Sequence, residues 1–498
     1  MLNELKNEMN RNARTENEAV TLRSTMSYCL DFFATVGALR NATDEEIIQR
    51  FILAYAENPD CAMKILFYAR DVRGGLGERN VFKVILQTMA DFHRDSVIKN
   101  IPYIAEFGRY DDMLVLLGTS CEAEMLLELK RQFQEDMENL KVDNKAVSLL
   151  GKWLPSVNAS NEETVAKGKK IAKAFGLKEV EYRKALTALR ARIRIIENNL
   201  RQKDYTFNYE TLPSRALFKY RKAFDRNDCD RYTAFKERVN SGEAKMHTAA
   251  LAPYDIIQPI LNLGMGRWWC YAPDEAISAS ERETLDLTWR NLPSFEGNDN
   301  TLVVVDGSGS MYSGKPMAIA VAISLGIYMA EHIHGEFKNH FITFSNQPQL
   351  VEIQGRDIYE KVRYCMEFCE VANTNIEAVF RLILNAAKNN HVSKEDMIKR
   401  IVIVSDMEFD ACAENASLTN FENAKLMFEK EGFELPEVIF WNVQSRNMQQ
   451  PVSKNERGVA LVSGCTPRLF SMMMEGDISP YKQMLEIIES ERYSMICA

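Results

Sequence analysis

The last two fifths of the chain alternate between short apolar runs and helical stretches. Five runs rich in β-branched residues read TLVVVD, HFITFS, RIVIVSD, EVIFWNV and VALVSG. Helical patterns begin near Met317, Ile376, Ala416 and Tyr481. Strands that alternate with helices predict a mostly parallel sheet covered on both faces. We therefore expect a doubly wound α/β domain over residues 296–498.

The earlier part of the chain shows a different periodicity. From about residue 20 to 255, apolar residues recur at intervals of three and four, as in EEIIQRFILAYAE and NVFKVILQTMADF. This spacing predicts a stack of amphipathic helices. The helices come in pairs, which is typical of HEAT-like α-solenoids. With 498 residues the chain exceeds what one core usually supports, and we expect a multidomain protein whose helical domain, with a linker, spans residues 1–295.

The two parts also differ in charge. Residues 161–240 carry 20 Lys and Arg against 11 Asp and Glu, a net charge of +9. Residues 301–498 carry 18 against 26, a net charge of −8. A basic region inside a protein whose net charge is −9 is typical of a polyanion-binding site, although a solvated helix face gives the same pattern.

The basic residues of this region recur at helical spacing in two segments. In EYRKALTALRARIRIIENNL, three arginines lie opposite an apolar face, and in LPSRALFKYRKAF cations alternate with aromatics. Such cations can contact RNA phosphates, whereas the aromatics either stack on bases or belong to the core. The predicted RNA-binding residues are Arg183, Arg190, Arg194, Arg215, Lys219, Lys222 and Arg226.

A second candidate site follows the first strand of the α/β domain. The stretch VVVDGSGSMYSG runs from an apolar strand into a small polar loop, and ligands of doubly wound sheets bind outside the carboxyl ends of strands. Three segments should meet there and supply the oxygen ligands that Mg²⁺ prefers. The predicted metal-site residues are Asp306, Ser308, Ser310, Thr374 and Asp406.

Catalytic and membrane functions find little support. No GK[ST] follows RDVRGGLGERN, so a helix–helix turn whose Arg70, Arg73 and Arg79 pair with neighbours is favoured over an anion site. We can name no nucleophile–base pair, and we expect no enzyme. No apolar run is long enough to span a bilayer and the first residues lack a signal-peptide pattern, which predicts a cytoplasmic protein.

The residues of the second site carry a family resemblance. Asp306-x-Ser308-x-Ser310, Thr374 and Asp406, in this order, resemble the metal-ion-dependent adhesion site of von Willebrand factor A domains. The resemblance implies that the two serines and the threonine hold the metal directly. It implies that the two aspartates hold it mainly through waters. Such an ion would favour an acidic group, from a partner or from this chain, in its open position.

Helical repeats with a basic patch, followed by such a domain, resemble the TROVE-type proteins, the Ro 60-kDa autoantigen family. RDVRGGLGER, KWLPS, LPSRA, RYTAF and EVIFWNVQSRNMQQPVSKNERGVALVSGCTPRLF are similar to an uncharacterised family with the same layout in bacteria, plants and large viruses. The first resemblance implies a ring of helical repeats that binds Y RNAs and misfolded non-coding RNAs.

We therefore expect a non-catalytic, Ro-like protein that binds small structured or misfolded non-coding RNA and carries Mg²⁺ in its A domain. The alternative is a protein-interaction scaffold that binds no RNA and whose metal site captures an acidic partner.

Overall fold

The computed structural model describes most of the chain. The described residues are 1, 5, 8–11, 13–264, 277–294, 300–344, 347–369, 373–413, 415, 417–468 and 478–498. The chain forms two compact units. The first, which we call the α/β unit, comprises Met1–Glu46, Ile52–Glu57 and Pro213–Ile488. The second, the helical unit, comprises Ile47–Phe51, Asn58–Leu212 and Glu489–Ala498.

The described helices cover the predicted helical part and alternate with the strands after it. In chain order they are α1 (Tyr28–Thr35), α2 (Asp44–Glu57), α3 (Pro59–Arg70), α4 (Asn80–Phe92), α5 (Arg94–Asn100), α6 (Ile104–Phe107), α7 (Glu122–Asn139), α8 (Leu150–Trp153), α9 (Glu162–Phe175), α10 (Glu179–Ile193), α11 (Ile196–Gln202), α12 (Ser214–Asn227), α13 (Cys229–Asn240), α14 (Pro253–Gly264), α15 (Ala279–Arg290), α16 (Ala318–His332), α17 (Ile358–Met366), α18 (Ile376–Asn389), α19 (Asn420–Lys430) and α20 (Pro480–Ile488).

Helices α3 to α11 belong to the helical unit, whose core contains a cluster of aromatic rings. The Phe67 ring packs edge-on against Phe82 and Phe107, at centroid distances of 5.3 and 5.5 Å. Next to this core, the buried Arg70 donates from Nε to Asp112 Oδ2 at 2.8 Å. The predicted helical stack is confirmed, and the pairing of Arg70 agrees with the interpretation of its motif as a structural turn.

The described strands form a hairpin near the amino terminus and one larger sheet. They are β1 (Ala13–Arg14), β2 (Val20–Thr21), β3 (Thr301–Val305), β4 (His340–Thr343), β5 (Leu350–Glu352), β6 (Arg400–Ser405), β7 (Glu437–Asn442) and β8 (Val459–Ser463). The large sheet has the order β5-β4-β3-β6-β7-β8. All its pairs are parallel except β4 with β5.

Both faces of this sheet are covered. On one face, α18 and α19 pack on alternate residues of the central strands, such as Leu302 and Ile403. On the other face lies α16, which is buried over most of its length. A Cβ added to Gly326 of α16 would lie 2.5 Å from Val305 Cγ2, so the glycine permits this close approach. Strands buried on both faces explain the continuous apolar runs of the sequence.

The predicted helical part and α/β part are confirmed, with differences in detail. All five predicted strands form, whereas β5 and α17 were not predicted. The compact units also do not follow the predicted boundary at residue 295, because 213–294 and the first 46 residues group with the sheet. Within the described residues, no helix combines the length and apolarity needed to cross a bilayer.

Candidate metal centre and cationic surfaces

The five predicted metal-site residues lie at the carboxyl edge of the central strands. Asp306 follows β3, and Asp406 follows the adjacent parallel strand β6. Thr374 precedes α18, and its carbonyl oxygen accepts from the Asp410 amide at 3.0 Å, which joins it to the segment after β6. Ser308 and Ser310 share a turn in which their hydroxyl oxygens lie 3.1 Å apart.

Asp306 is the buried centre of this arrangement. Its Oδ1 accepts from the backbone amide of Ser308 at 2.9 Å, and its Oδ2 accepts from the Ser405 hydroxyl at 2.6 Å. Burial, and next the negative charge of Asp406, raise the pKa of Asp306 to about 7. The negative charge of Asp406 destabilises the ionised form of Asp306, and a nearby cation would relieve this repulsion.

The loop geometry keeps this edge compact. A Cβ added to Gly307 would lie 3.1 Å from the Cα and Cβ of Cys369, so a larger residue there would push the two segments apart. Asn375 caps α18 by accepting from the Ala378 amide at 2.9 Å, which fixes the chain just after Thr374.

The donor set fits a hard divalent cation. It consists of three hydroxyl groups and two carboxyl groups, all of them oxygen donors. Ser308, Thr374 and both aspartates are buried, so the site can exclude bulk water from the side that faces the sheet. No nitrogen or sulfur ligand that would favour zinc or copper belongs to the set.

Arg446 is a residue of this site that the sequence analysis missed. It follows β7, the strand next to β6. One Nη of its guanidinium donates to Asp406 Oδ2 at 2.9 Å. The other Nη lies 2.6 Å from Glu16 Oε2. The rule that ligands bind at carboxyl ends of parallel strands could have pointed to Arg446, since the run EVIFWNV was already predicted as a strand.

Glu408 is the second missed residue. Its side chain is almost fully buried and accepts from the amide of Glu16, from Asn447 and from Gln449 at 2.7 to 2.8 Å. Burial raises the pKa of Glu408, while these hydrogen bonds act in the opposite direction. The site is therefore more acidic than the sequence motif indicated.

Four of the seven predicted RNA-binding residues form one exposed row on α12. Arg215, Lys219, Lys222 and Arg226 are exposed and follow one another at intervals of four, three and four residues. At 3.6 residues per turn this places them within about 60° of the helix circumference. We call this set the α12 row. The cation that points the other way, Arg221, is buried and binds Glu281 at 2.7 Å.

The acidic neighbours of the α12 row neutralise it only in part. Arg215 lies 3.5 Å from Asp255, and Lys222 lies 3.8 Å from Glu281, which is already bound to Arg221. Lys219 lies over the ring of Tyr220 at 4.9 Å. Among the aromatics of this helix, Phe224 is fully buried and belongs to the core.

The other three predicted residues belong to the helical unit, and Arg190 differs from the rest. Arg183 and Arg194 are exposed. Arg190 donates to the carbonyl oxygens of Gly151 and Leu154, both at 2.8 Å, and to Ser156 Oγ at 2.7 Å. Its guanidinium is thus occupied by α8 and by the residues that follow it. This corrects the prediction that Arg190 shares a phosphate-binding face with its neighbours at helical spacing.

Comparisons with known proteins match nearly the whole chain. A family model described as Domain of unknown function (DUF2828) matches residues 15–132 and 123–294, and a second, Domain of unknown function (DUF7788), matches residues 300–494. The Uncharacterized protein L728 of Acanthamoeba polyphaga mimivirus is 28% identical over 513 residues, covering 95% of this chain and 87% of the relative. These matches fit the predicted resemblance to a family that includes proteins of large viruses.

A solved structure also covers most of the chain. It is the RO (RSR) protein of Deinococcus radiodurans, with 14% sequence identity and a TM-score of 0.48, over 94% of this chain and 100% of that one.

Proposed function

Because this chain belongs to the family described as Domain of unknown function (DUF2828), its role must be argued from its own residues, and we propose that it is a non-catalytic, Ro-like RNA-binding protein. The observation that carries this proposal is the α12 row, with four exposed cations on one face of one helix. The row extends about 16 Å along the helix axis, because an α-helix rises about 1.5 Å per residue. Several phosphates of one RNA strand can contact it at once.

The recognition proposed here is tolerant of sequence. Lysine and arginine contacts to phosphates position a nucleic acid without reading its bases. The buried Phe224 supplies no stacking platform. Phosphate contacts of this kind support small structured or misfolded non-coding RNA as the partner, rather than one defined sequence. Arg183 and Arg194 remain proposed contacts of the helical unit.

A charge-reversal experiment tests the α12 row. The triple variant Lys219→Glu, Lys222→Glu, Arg226→Glu is compared with Lys338→Glu, Lys394→Glu, Lys430→Glu. The second variant changes the charge equally at three exposed lysines elsewhere in the same unit. Affinity for a fluorescent small structured RNA is measured from 50 to 300 mM salt. Each phosphate contact to a single strand contributes about 0.7 to the slope of log K against log salt.

We expect the α12-row variant to lose at least tenfold in affinity and about 2 in salt slope, and the control variant to retain most of both. Equal affinities and slopes for the two variants would refute the assignment of the RNA site to α12.

The metal centre supports a second candidate function, a scaffold that binds an acidic partner. We propose that Mg²⁺ binds here, held directly by Ser308, Ser310 and Thr374 and through waters by Asp306 and Asp406. The bound ion would supply a positive charge that few direct carboxylates neutralise. The convergence of these residues at the carboxyl edge of adjacent parallel strands supports this role.

Removal of the hydroxyl ligands tests this second function. Ser308→Ala with Ser310→Ala should abolish Mn²⁺ binding, measured by calorimetry, and should leave RNA affinity unchanged. If proteins that co-purify with the wild type are released by EDTA and are lost in this variant, the scaffold function is supported. Undiminished Mn²⁺ binding by the variant would refute the site.

A further inference from the structure

A segment near the amino terminus lies across the metal centre. Residues 13–22, which we call the strap, contain the short hairpin β1–β2. The strap pairs with later segments of the same α/β unit through isolated bridges from Glu18 to Asp410, Val20 to Thr419 and Leu22 to Gln450. Ala19 and Val20 are almost fully buried. The strap is therefore packed onto the domain, and its turn is held in a defined position.

The turn of the strap contacts the loops that carry the metal site. The Thr15 hydroxyl donates to the Phe409 carbonyl oxygen at 2.6 Å, and the Glu16 amide donates to Glu408 Oε2 at 2.7 Å. The Asn17 side-chain amide donates to the Glu408 carbonyl oxygen at 2.7 Å and lies 3.4 Å from the hydroxyl of Thr374. Thus the strap reaches a predicted metal ligand itself.

The charge of this region is unbalanced. Four carboxyl groups belong to this region: Asp406 and Glu16 share Arg446, Glu408 accepts from the Glu16 amide, and the charge of Asp406 acts on Asp306. Among the described residues, Arg446 is the cation that contacts these groups, through Asp406 and Glu16. Four carboxyl groups and one guanidinium leave a formal charge of −3 when all are ionised. A divalent cation would neutralise most of it.

Two acidic side chains at the strap, Glu408 and Glu16, differ in exposure and in the number of their hydrogen bonds. Glu408 is held by three donors and is 2% exposed. The Glu16 side chain is 47% exposed, and among the described residues its carboxylate contacts Arg446. Glu16 can therefore leave its partner without disrupting the core, whereas Glu408 cannot.

We propose that Glu16 is the internal acidic ligand of the metal centre. The guanidinium of Arg446 holds Glu16 next to Asp406 until a divalent cation enters. The Glu16 carboxylate then transfers from Arg446 to the cation and fills the position that an external acidic partner would use. This inference rests on the metal binding proposed above and names this chain's own strap as the first occupant of the site.

Docking of the strap and binding of the cation are coupled in this proposal. If Glu16 binds the cation, cation binding must stabilise the docked strap, and the docked strap must raise cation affinity by the same factor. Arg446 opposes the cation because it competes for Glu16 and Asp406. An external acidic partner must displace the strap, so it would bind a chain that lacks the strap more tightly.

The experiment compares Glu16→Gln with Glu18→Gln, the same chemical change two residues away on an exposed side chain. Mn²⁺ affinity is measured by calorimetry on the full chain. Docking of the strap is measured by the rate of tryptic cleavage after the exposed Arg14, with and without Mn²⁺. Arg446→Met is the third variant.

We expect Glu16→Gln to bind Mn²⁺ about tenfold more weakly and to lose the protection of Arg14 by Mn²⁺, while Glu18→Gln keeps both. We expect Arg446→Met to bind Mn²⁺ more tightly than the wild type. Equal Mn²⁺ affinity and equal protection in Glu16→Gln and Glu18→Gln would overturn the inference and leave the metal site in place. Absence of Mn²⁺ binding by the wild type would overturn the metal site itself, and the inference with it.

Discussion

The buried carboxyl group of Asp306 makes the metal-free protein sensitive to pH. Its pKa rises from 3.8 to about 7 on folding because of burial and the nearby Asp406. The folded protein therefore binds this proton more tightly than the unfolded chain does. The contribution of this proton to the free energy of unfolding is fully present below about pH 4 and is lost as the pH rises to about 7. The loss amounts to about 4 kcal/mol, since each pH unit is worth about 1.4 kcal/mol.

Asp306→Asn removes this titration and keeps the shape of the side chain. The amide oxygen can accept from the Ser308 amide as before, and the amide nitrogen can donate to Ser405 Oγ once that hydroxyl turns. In EDTA at pH 8 we expect the variant to be more stable than the wild type by up to about 4 kcal/mol. At pH 4 the two proteins should be equally stable. The variant should bind Mn²⁺ more weakly.

Hydrogen exchange of β3 and β6 peptides measures this effect in the α/β unit alone. Exchange is followed by mass spectrometry in EDTA between pH 4 and 8.5, after correction for the intrinsic rate at each pH. Asp396→Asn, at an exposed aspartate of the same unit, is the control. If the wild type and Asp306→Asn show parallel stability profiles across this range, the electrostatic description of the site is wrong.

Three further predictions concern packing and buried charge. Gly326→Ala should destabilise the α/β unit by about 1–3 kcal/mol, because the new methyl group meets Val305, and the urea midpoint measures this. Arg190→Met should cost about 1–3 kcal/mol in the helical unit, since it leaves buried carbonyl oxygens unpaired, while RNA affinity stays unchanged in the same binding assay. Arg70→Met should cost about 1–3 kcal/mol in thermal melts, because the buried Asp112 loses its nearest cation but keeps Arg79 and Lys83.

The local sequence was sufficient to predict the central strands of the sheet, but it did not predict the edge strand β5. The central strands are buried on both faces, so their sequences are continuous apolar runs and each was predicted. Strand β5 has three residues, of which only Val351 is buried, and so short an alternation carries little signal. The loop of Asp306, Ser308 and Ser310 was found because it directly follows a strand.

Helical spacing identified candidate cations but could not separate exposed from occupied ones. Arg190 stands at the same interval as its neighbours, yet its three nitrogens donate to the Gly151 and Leu154 carbonyl oxygens and to the Ser156 hydroxyl. These acceptors lie more than thirty residues before Arg190 in the sequence. A pattern within one helix contains no information about such a partner.

The sequence alone determined the helical and α/β parts of this protein, the positions of the main strands along the chain and the oxygen-rich character of one loop, because these follow from local periodicity and residue type. Only the tertiary structure decided that Arg446 and the strap meet Asp406. Glu16 and Asp406 are 390 residues apart, and their proximity depends on how a terminal segment packs on a finished sheet. The net charge at the metal centre is therefore a property of the fold, because it depends on charged groups that lie far apart in the sequence.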